Sequence, residues 1–287
     1  MRRPGQASPG QASPGQASPG QASPRQAGRN FVAGAARVLR DGGWGGALRG
    51  ALAEPPAGIE AWLEKHIRPL KADPGSRVGL LQLRDDTCYL KFYRSGSGLR
   101  ALAFRLGIGR GVRSFDRALE LAAAGVRVPE PRACLRIPGG MLLLTEGLPA
   151  SGDLRALWLA GAGVADWTGL LGAAGRALAG LHASGFAHGD CKWSNLLWSG
   201  DEICFVDLES VRRARAGGAR CLRDLARFTL DAEELALPAA LYRAFIGSYA
   251  MAAQQGPENL ARSIVPPLDR LRGRHLAKYG PRGHRLL

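Results

Sequence analysis

The sequence predicts an α+β fold of two lobes, a small strand-rich N-terminal lobe followed by a helical C-terminal lobe. Three features predict it. Val78–Tyr93 has the apolar and aromatic composition of a strand pair, divided by the turn-forming group Arg84-Asp85-Asp86-Thr87. Met141-Leu142-Leu143-Leu144 is a short buried strand that runs into Thr145-Glu146-Gly147, a hinge-like exit. Beyond it, apolar residues recur at helical spacing, most clearly Trp167, Leu170, Leu171, Ala174, Leu178 and Leu181.

Taken in order, residues 1–29 hold GQASP four times in tandem. Pro at every fifth position blocks a helix, and Gly, Gln and Ser bury nothing, so a disordered tail is expected. Residues 30–75 read as a helical extension through Phe31, Val38, Leu39, Ile59, Trp62, Leu63 and Ile67, interrupted at Gly42–Gly46 and at Pro55-Pro56. Residues 76–148 form the N-lobe and hinge. There the hairpin leads through a Gly-rich stretch to a helix with Phe115, Ala118, Leu119 and Ala122 on one face. Residues 149–287 form the C-lobe. Its long helix closes at Gly185, and two strands, Asn195 to Trp198 and Glu202 to Val206, flank the turn Ser199-Gly200-Asp201.

Composition narrows the function. Five scattered cysteines with no CxxC pair argue against a disulfide framework or zinc ribbon and for a reducing compartment. No apolar run reaches the length of a membrane span, and no apolar region follows the basic Arg2-Arg3, so a cytoplasmic location is expected. The formal charge of +15 comes mostly from arginine, and such a surface attracts anions. Nucleic acid is not the expected partner, because no interleaving of aromatic and basic residues supports it.

Chemistry concentrates in His188-Gly189-Asp190-Cys191-Lys192-Trp193-Ser194-Asn195 and in Phe205-Val206-Asp207-Leu208-Glu209. Phosphoryl transfer needs a base beside the acceptor hydroxyl and oxygen ligands that hold Mg2+ against the phosphates. Asp190 on a loop after a long helix, Asn195 five residues later and Asp207 at the end of an apolar strand supply those types. Lys192 can neutralise charge on the transferred group.

The pattern His-x-Asp-x-Lys-x-x-Asn, then a strand ending in Asp, resembles the catalytic loop and metal-binding Asp of the protein-kinase-like superfamily. The resemblance implies ATP and Mg2+ as cofactors, Asp190 as catalytic base, and Asn195 and Asp207 as metal ligands. It makes Lys91 in Tyr89-Leu90-Lys91 the strand lysine on the nucleotide phosphates, and Glu146 to Leu148 the hinge that reads adenine through backbone groups. It also has Asp224 bracing the catalytic loop. On the helix after Lys91, Asp116 and Glu120 lie four residues apart and either can pair with it; Glu120 has the longer reach.

Several features depart from protein kinases. No GxGxxG precedes Lys91, Leu208-Glu209 follows Asp207 in place of Phe-Gly, and the short span from Asp207 to Asp224 leaves no room for a peptide-docking segment. Within the superfamily the chain is most similar to the bacterial lipopolysaccharide core kinases, which phosphorylate Kdo or heptose hydroxyls. The segments involved include Gly125-Val126-x-Val128-Pro129-x-Pro131, Leu144-Thr145-Glu146 and Arg223-Asp224-Leu225-Ala226-Arg227. An anionic glycolipid or sugar acceptor is implied, and the basic stretch Arg270, Arg272 and Arg274 reads either as peripheral contact with the inner membrane surface or as a solvated basic helix end. The alternatives are an aminoglycoside- or choline-type phosphotransferase and, from another class, a pseudokinase binding module.

Overall fold

Strands from the first half of the chain hydrogen-bond into one antiparallel six-stranded sheet. They are β1 (Arg37–Asp41), β2 (Ile67–Asp73), β3 (Ser76–Leu83), β4 (Asp86–Arg94), β5 (Pro131–Ile137) and β6 (Gly140–Glu146), in the spatial order β1-β5-β6-β4-β3-β2. The computed structural model describes residues 35–53, 58–96, 102, 104, 106–148, 151–161, 164, 166–280 and 284–287, so the GQASP repeats lie outside the described residues. The β3–β4 turn narrows to Arg84 and Asp85, both with positive φ, the two-residue geometry that matches strand twist.

Side-chain alternation along β4 and β6 divides the sheet's two faces. Leu90, Phe92, Leu142 and Leu144 pack against Leu48, Trp62 and Leu63 of helices α1 (Gly45–Ala51) and α2 (Ile59–His66). Tyr93, Met141 and Leu143 face the other way, against Val112 and Phe115 of helix α3 (Arg110–Ala123). Lys91 shares the parity of Tyr93, which sends its side chain toward α3 and the C-lobe rather than into the α1–α2 core.

Two details differ from the sequence-based expectation. The 30–75 stretch is not purely helical, since β1 and β2 form the two edges of the sheet. Val38 packs with the α1–α2 core and Leu39 with the α3 core, an alternation that a five-residue segment is too short to distinguish from helical spacing. On α3, Leu119 and Ala122 are exposed, while Val112, Phe115, Ala118 and Leu121 are buried. The helix serves two cores: Val112 and Phe115 meet the sheet, and Ala118 and Leu121 meet the C-lobe, so its apolar stripe rotates along its length.

The C-lobe is built from α4 (Leu154–Ala160), α5 (Trp167–Ala183), α6 (Ala219–Glu234), α7 (Ala239–Ala252) and α8 (Pro257–Tyr279). Leu171, Leu178, Phe228, Phe245 and Tyr249 are central to its core. Three short pairings stitch the loops between helices: β7 (Gly152–Asp153) on β9 (Leu196–Trp198), β9 on β10 (Ile203–Phe205), and β8 (Phe186–Ala187) on β11 (Arg212–Arg213). Among the described residues no helix is long and apolar enough to cross a membrane. All five cysteines are free and buried.

The α5–α7 crossing is close because Gly175 has no side chain. A Cβ there would sit 2.3 Å from the Phe245 carbonyl oxygen and 3.0 Å from the Tyr249 nitrogen. Gly175→Ala gains about 1 kcal/mol of helix propensity, but the obstacle is backbone, which yields only if the helices separate. Overpacking of this kind costs about 1–3 kcal/mol, and spreading the helices costs further packing. The variant is expected to melt roughly 5 °C lower in a thermal scan.

Candidate active site

The loop from His188 to Asn195 is held in shape from below by Asp224 on α6. Its Oδ2 accepts the His188 N–H at 2.6 Å and its Oδ1 accepts the Gly189 N–H at 2.9 Å, in a site only 2% exposed. Gly189 has φ +81°, and a Cβ there would lie 2.5 Å from the Ser210 carbonyl, so the loop needs glycine at this position. His182 Nε2 lies 3.3 Å from Asp224 Oδ2, while its Nδ1 is 2.7 Å from the Tyr249 hydroxyl. The His188 ring meets the Val206 carbonyl at 3.0 Å, and the Val206 N–H donates to the Asn195 carbonyl at 3.0 Å. The loop and the strand end that carries Asp207 are thereby fixed to one another. His182 and His188 are structural here.

Asp190 sits at the mouth of this loop, about one-third exposed. Lys192 Nζ is 3.0 Å from its Oδ2, and the Arg227 guanidinium is 3.5 Å from its Oδ1. Asn195 Nδ2 donates to the Asp190 carbonyl at 2.9 Å and to Oδ2 at 3.3 Å. A backbone carbonyl only accepts, so the amide orientation is determined and Oδ1 is the atom left to ligate a metal. Asp207 adopts the left-handed conformation, φ 61° and ψ 53°, which short polar side chains tolerate. The chain then turns through Leu208–Ser210, with Leu208 buried.

Lys91 reaches this turn from β4. Its Nζ is 2.7 Å from Asp207 Oδ1 and 2.7 Å from Glu209 Oε1, and 5.1 Å from the centroid of the Tyr93 ring. Burial disfavours the ammonium, but the two carboxylates outweigh it and its pKa is raised. Burial likewise works against the Asp207 carboxylate, yet Lys91 holds its pKa below the ordinary value. Glu120 is not the partner of Lys91: it is bound by Arg117 and by Arg213 at 3.1 Å, and Asp116 by Arg40 at 2.7 Å. Both acids on this helix are thus taken by arginines.

Glu146 lies at the end of β6. Burial opposes its charge, but the Arg127 guanidinium at 3.2 Å and the Glu130 N–H at 3.1 Å hold its carboxyl below the usual range. Its side chain is thus a structural anchor of the hinge. The backbone amides of Glu146 and Gly147 donate to Glu130 and Thr87 carbonyls, and the Leu148 carbonyl accepts from Ser151.

Sequence reasoning gave no role to Glu209, Arg227 or Asp231. The two on α6 had a readable signal, since Asp224, Arg227 and Asp231 fall at i, i+3 and i+7 on one helix face. Asp231 Oδ2 accepts the Trp193 N–H at 3.0 Å, and burial pushes its pKa up to about 6. A folded-state value above the unfolded 3.8 means that stability from the protonated form is complete below pH 3.8 and lost as pH rises to about 6. Above that, the buried charge costs on the order of 2–3 kcal/mol. Asp231→Asn keeps an acceptor for Trp193. It is expected to melt higher than the wild type at pH 7.5, with the advantage vanishing toward pH 4 in parallel thermal scans.

A lysine on the N-lobe sheet, a carboxylate–lysine pair on a braced loop and an Asn and an Asp beside them are the arrangement of a kinase-like phosphotransferase. The comparisons narrow the class. The model of the "Lipopolysaccharide kinase (Kdo/WaaP) family" matches residues 60–249, and the chain belongs to that family. It is therefore a kinase that acts on lipopolysaccharide. A solved structure, "WaaP in complex with acyl carrier protein", matches over 85% of this chain and 99% of that one, at 16% identity and a TM-score of 0.57, a likeness of fold. The BubR1 kinase domain aligns with 51% of this chain and 46% of its own, at 13% identity and a TM-score of 0.40. No curated protein sequence matches.

Proposed function

We propose that this chain transfers the terminal phosphoryl group of ATP to a Kdo or heptose hydroxyl of the lipopolysaccharide core. The observation that carries the reading is the convergence of Lys91, Asp190, Asn195 and Asp207 in a chain of this family. Asp190 takes the acceptor proton as the sugar oxygen attacks the phosphorus in line and the bond to the ADP oxygen breaks. Lys192, held on Asp190, and Lys91 offset charge on the phosphoryl oxygens. At the hinge, the amides of Glu146 and Gly147 are already committed, so backbone N–H recognition of adenine falls to Leu148.

Magnesium fits the donor set: the Asp207 carboxylate and Asn195 Oδ1 are hard oxygens, as this ion prefers. Among the described residues no three His, Cys, Asp or Glu side chains converge into a metal group, so phosphate oxygens and water would complete its shell. When bound, the ion would neutralise charge on the phosphates.

The acceptor is tested by offering core glycolipid, an aminoglycoside, choline and a generic protein side by side. Preferential phosphorylation of the glycolipid is expected, and preference for any other would overturn the reading. The +15 charge supports peripheral contact with an anionic membrane surface. Arg272 is not available for it, being bound by Glu233 and Asp269, whereas Arg270 and Arg274 are exposed. Activity on membrane-bound glycolipid should fall as salt rises, with attraction screened beyond about 8–10 Å. Replacing Arg270 and Arg274 should raise the apparent KM for that acceptor and leave the KM for nucleotide unchanged.

A further inference from the structure

In kinases that carry the lysine's acidic partner on a helix, the ion pair forms only when that helix is correctly placed. Here the helix offers no such partner. Glu120 is taken by Arg117 and Arg213, and Asp116 by Arg40. The carboxylates on Lys91 both come from the segment after β10. Asp207 has a competing duty, because as the proposed metal ligand it would share its charge with the ion when nucleotide is bound. Glu209 has none. It is as deeply placed as Lys91, each side chain 14% exposed, and its Oε1 is 2.7 Å from Nζ. Its other oxygen lies 3.5 Å from a guanidinium nitrogen of Arg110, the first residue of α3, and that guanidinium also rests 5.2 Å from the Tyr93 ring centroid.

We propose that Glu209 is the positioning residue for Lys91, aiming its ammonium at the donor phosphates from the short turn after Asp207, with Arg110 tying the start of α3 to the same carboxylate. The helix partner is thereby replaced by one fixed in the C-lobe next to the metal ligand. Lys91 is thereby held from the 208–210 turn, against which α3 itself is tied through Arg110. The inference rests on the nucleotide reading above and leaves the identity of the acceptor aside.

The test is equilibrium binding of a fluorescent ATP analogue, with magnesium, to the full chain and to Glu209→Gln, Glu209→Asp, Lys91→Met and the double variant Lys91→Met/Glu209→Gln. Loss of a charged hydrogen bond predicts roughly tenfold weaker binding for Glu209→Gln. Glu209→Asp should fall between it and the wild type. Because Glu209 acts through Lys91, the double variant should bind no more weakly than Lys91→Met alone. In turnover the loss should appear in the KM for nucleotide and not in the KM for acceptor. Wild-type affinity in Glu209→Gln, or losses that add in the double variant, would overturn the proposal. If Glu209→Gln fails to fold, Glu209→Asp carries the same comparison, and wild-type affinity in it together with an unaltered Lys91→Met would overturn the proposal equally. Failure of the wild type itself to bind the analogue would remove the nucleotide reading and the brace together, whereas normal nucleotide binding with no glycolipid phosphorylation would remove only the acceptor assignment.

Discussion

Asp190→Ala is expected to lower phosphoryl transfer by about 10²- to 10⁴-fold, the range for loss of a positioned general base, while nucleotide affinity stays close to that of the wild type. The separation follows from where Asp190 sits. Its charged neighbours are Lys192 and Arg227, whereas Lys91, which we propose meets the nucleotide, is engaged with Asp207 and Glu209. The alanine variant keeps the Asp190 backbone carbonyl that accepts from Asn195 at 2.9 Å, so the loop retains its main internal tie. Asp207→Ala should behave differently, losing magnesium-dependent nucleotide affinity together with turnover. Single-turnover kinetics and nucleotide binding measured on the same preparations separate the two patterns. Wild-type-like turnover by either variant on a verified acceptor would sink the mechanism.

The largest effect on stability is expected from Asp224→Ala. One carboxylate there satisfies two backbone N–H groups of the His188–Asn195 loop and approaches the buried His182 ring. Removing it strands those donors in a site closed to water, at a cost of about 3–5 kcal/mol. For a domain of this size that lowers Tm by roughly 10 °C. Activity should fall as well, since His188 and Gly189 lead directly into Asp190. Asp224→Asn retains a single acceptor oxygen and should lie between the two. The pair also has a pH signature. Burial opposes protonation of His182, but Asp224 outweighs it and the His182 pKa is raised above 6.5. Its stabilising contribution is therefore complete below pH 6.5 and lost as pH rises through the folded-state value. The gap in Tm between wild type and Asp224→Ala should widen from pH 8 to pH 6. A variant melting within about 2 °C of the wild type would show that the loop holds its shape without this carboxylate.

The features legible in the sequence were those whose partners lie nearby in the chain. His188 to Asn195 is contiguous, Val206-Asp207 follows closely, and the β3–β4 hairpin that carries Lys91 closes through a local turn. Both lobes could thus be read, and among the nominated residues Lys91 meets Asp207 and Asn195 meets Asp190. The partner of Lys91 was not legible, because Glu209 lies 118 residues away and no local period records a contact of that range. The helix acids offered the expected spacing, and only the fold shows that arginines take them. Edge strand β1 was hidden for a different reason: its five residues contribute one apolar side chain to each face of the sheet.

That edge strand bears on how the protein is handled in the laboratory. At present the sheet ends on β1, with Arg37, Arg40 and a register break, and on β2, with Pro69, Lys71 and another break. Such edges resist pairing with a second molecule. A recombinant fragment cut to the family-matched span, 60–249, would delete β1 and α1 and lay open β5, whose Ala133, Cys134 and Leu135 are wholly buried. It would also strip Leu260, Ile264 and Leu268 from the C-lobe core. Such a fragment would present an unpaired strand edge with a buried apolar centre to its neighbours and is expected to precipitate, so the part of the chain that carries the family signature is smaller than the part that should be expressed to keep it in solution.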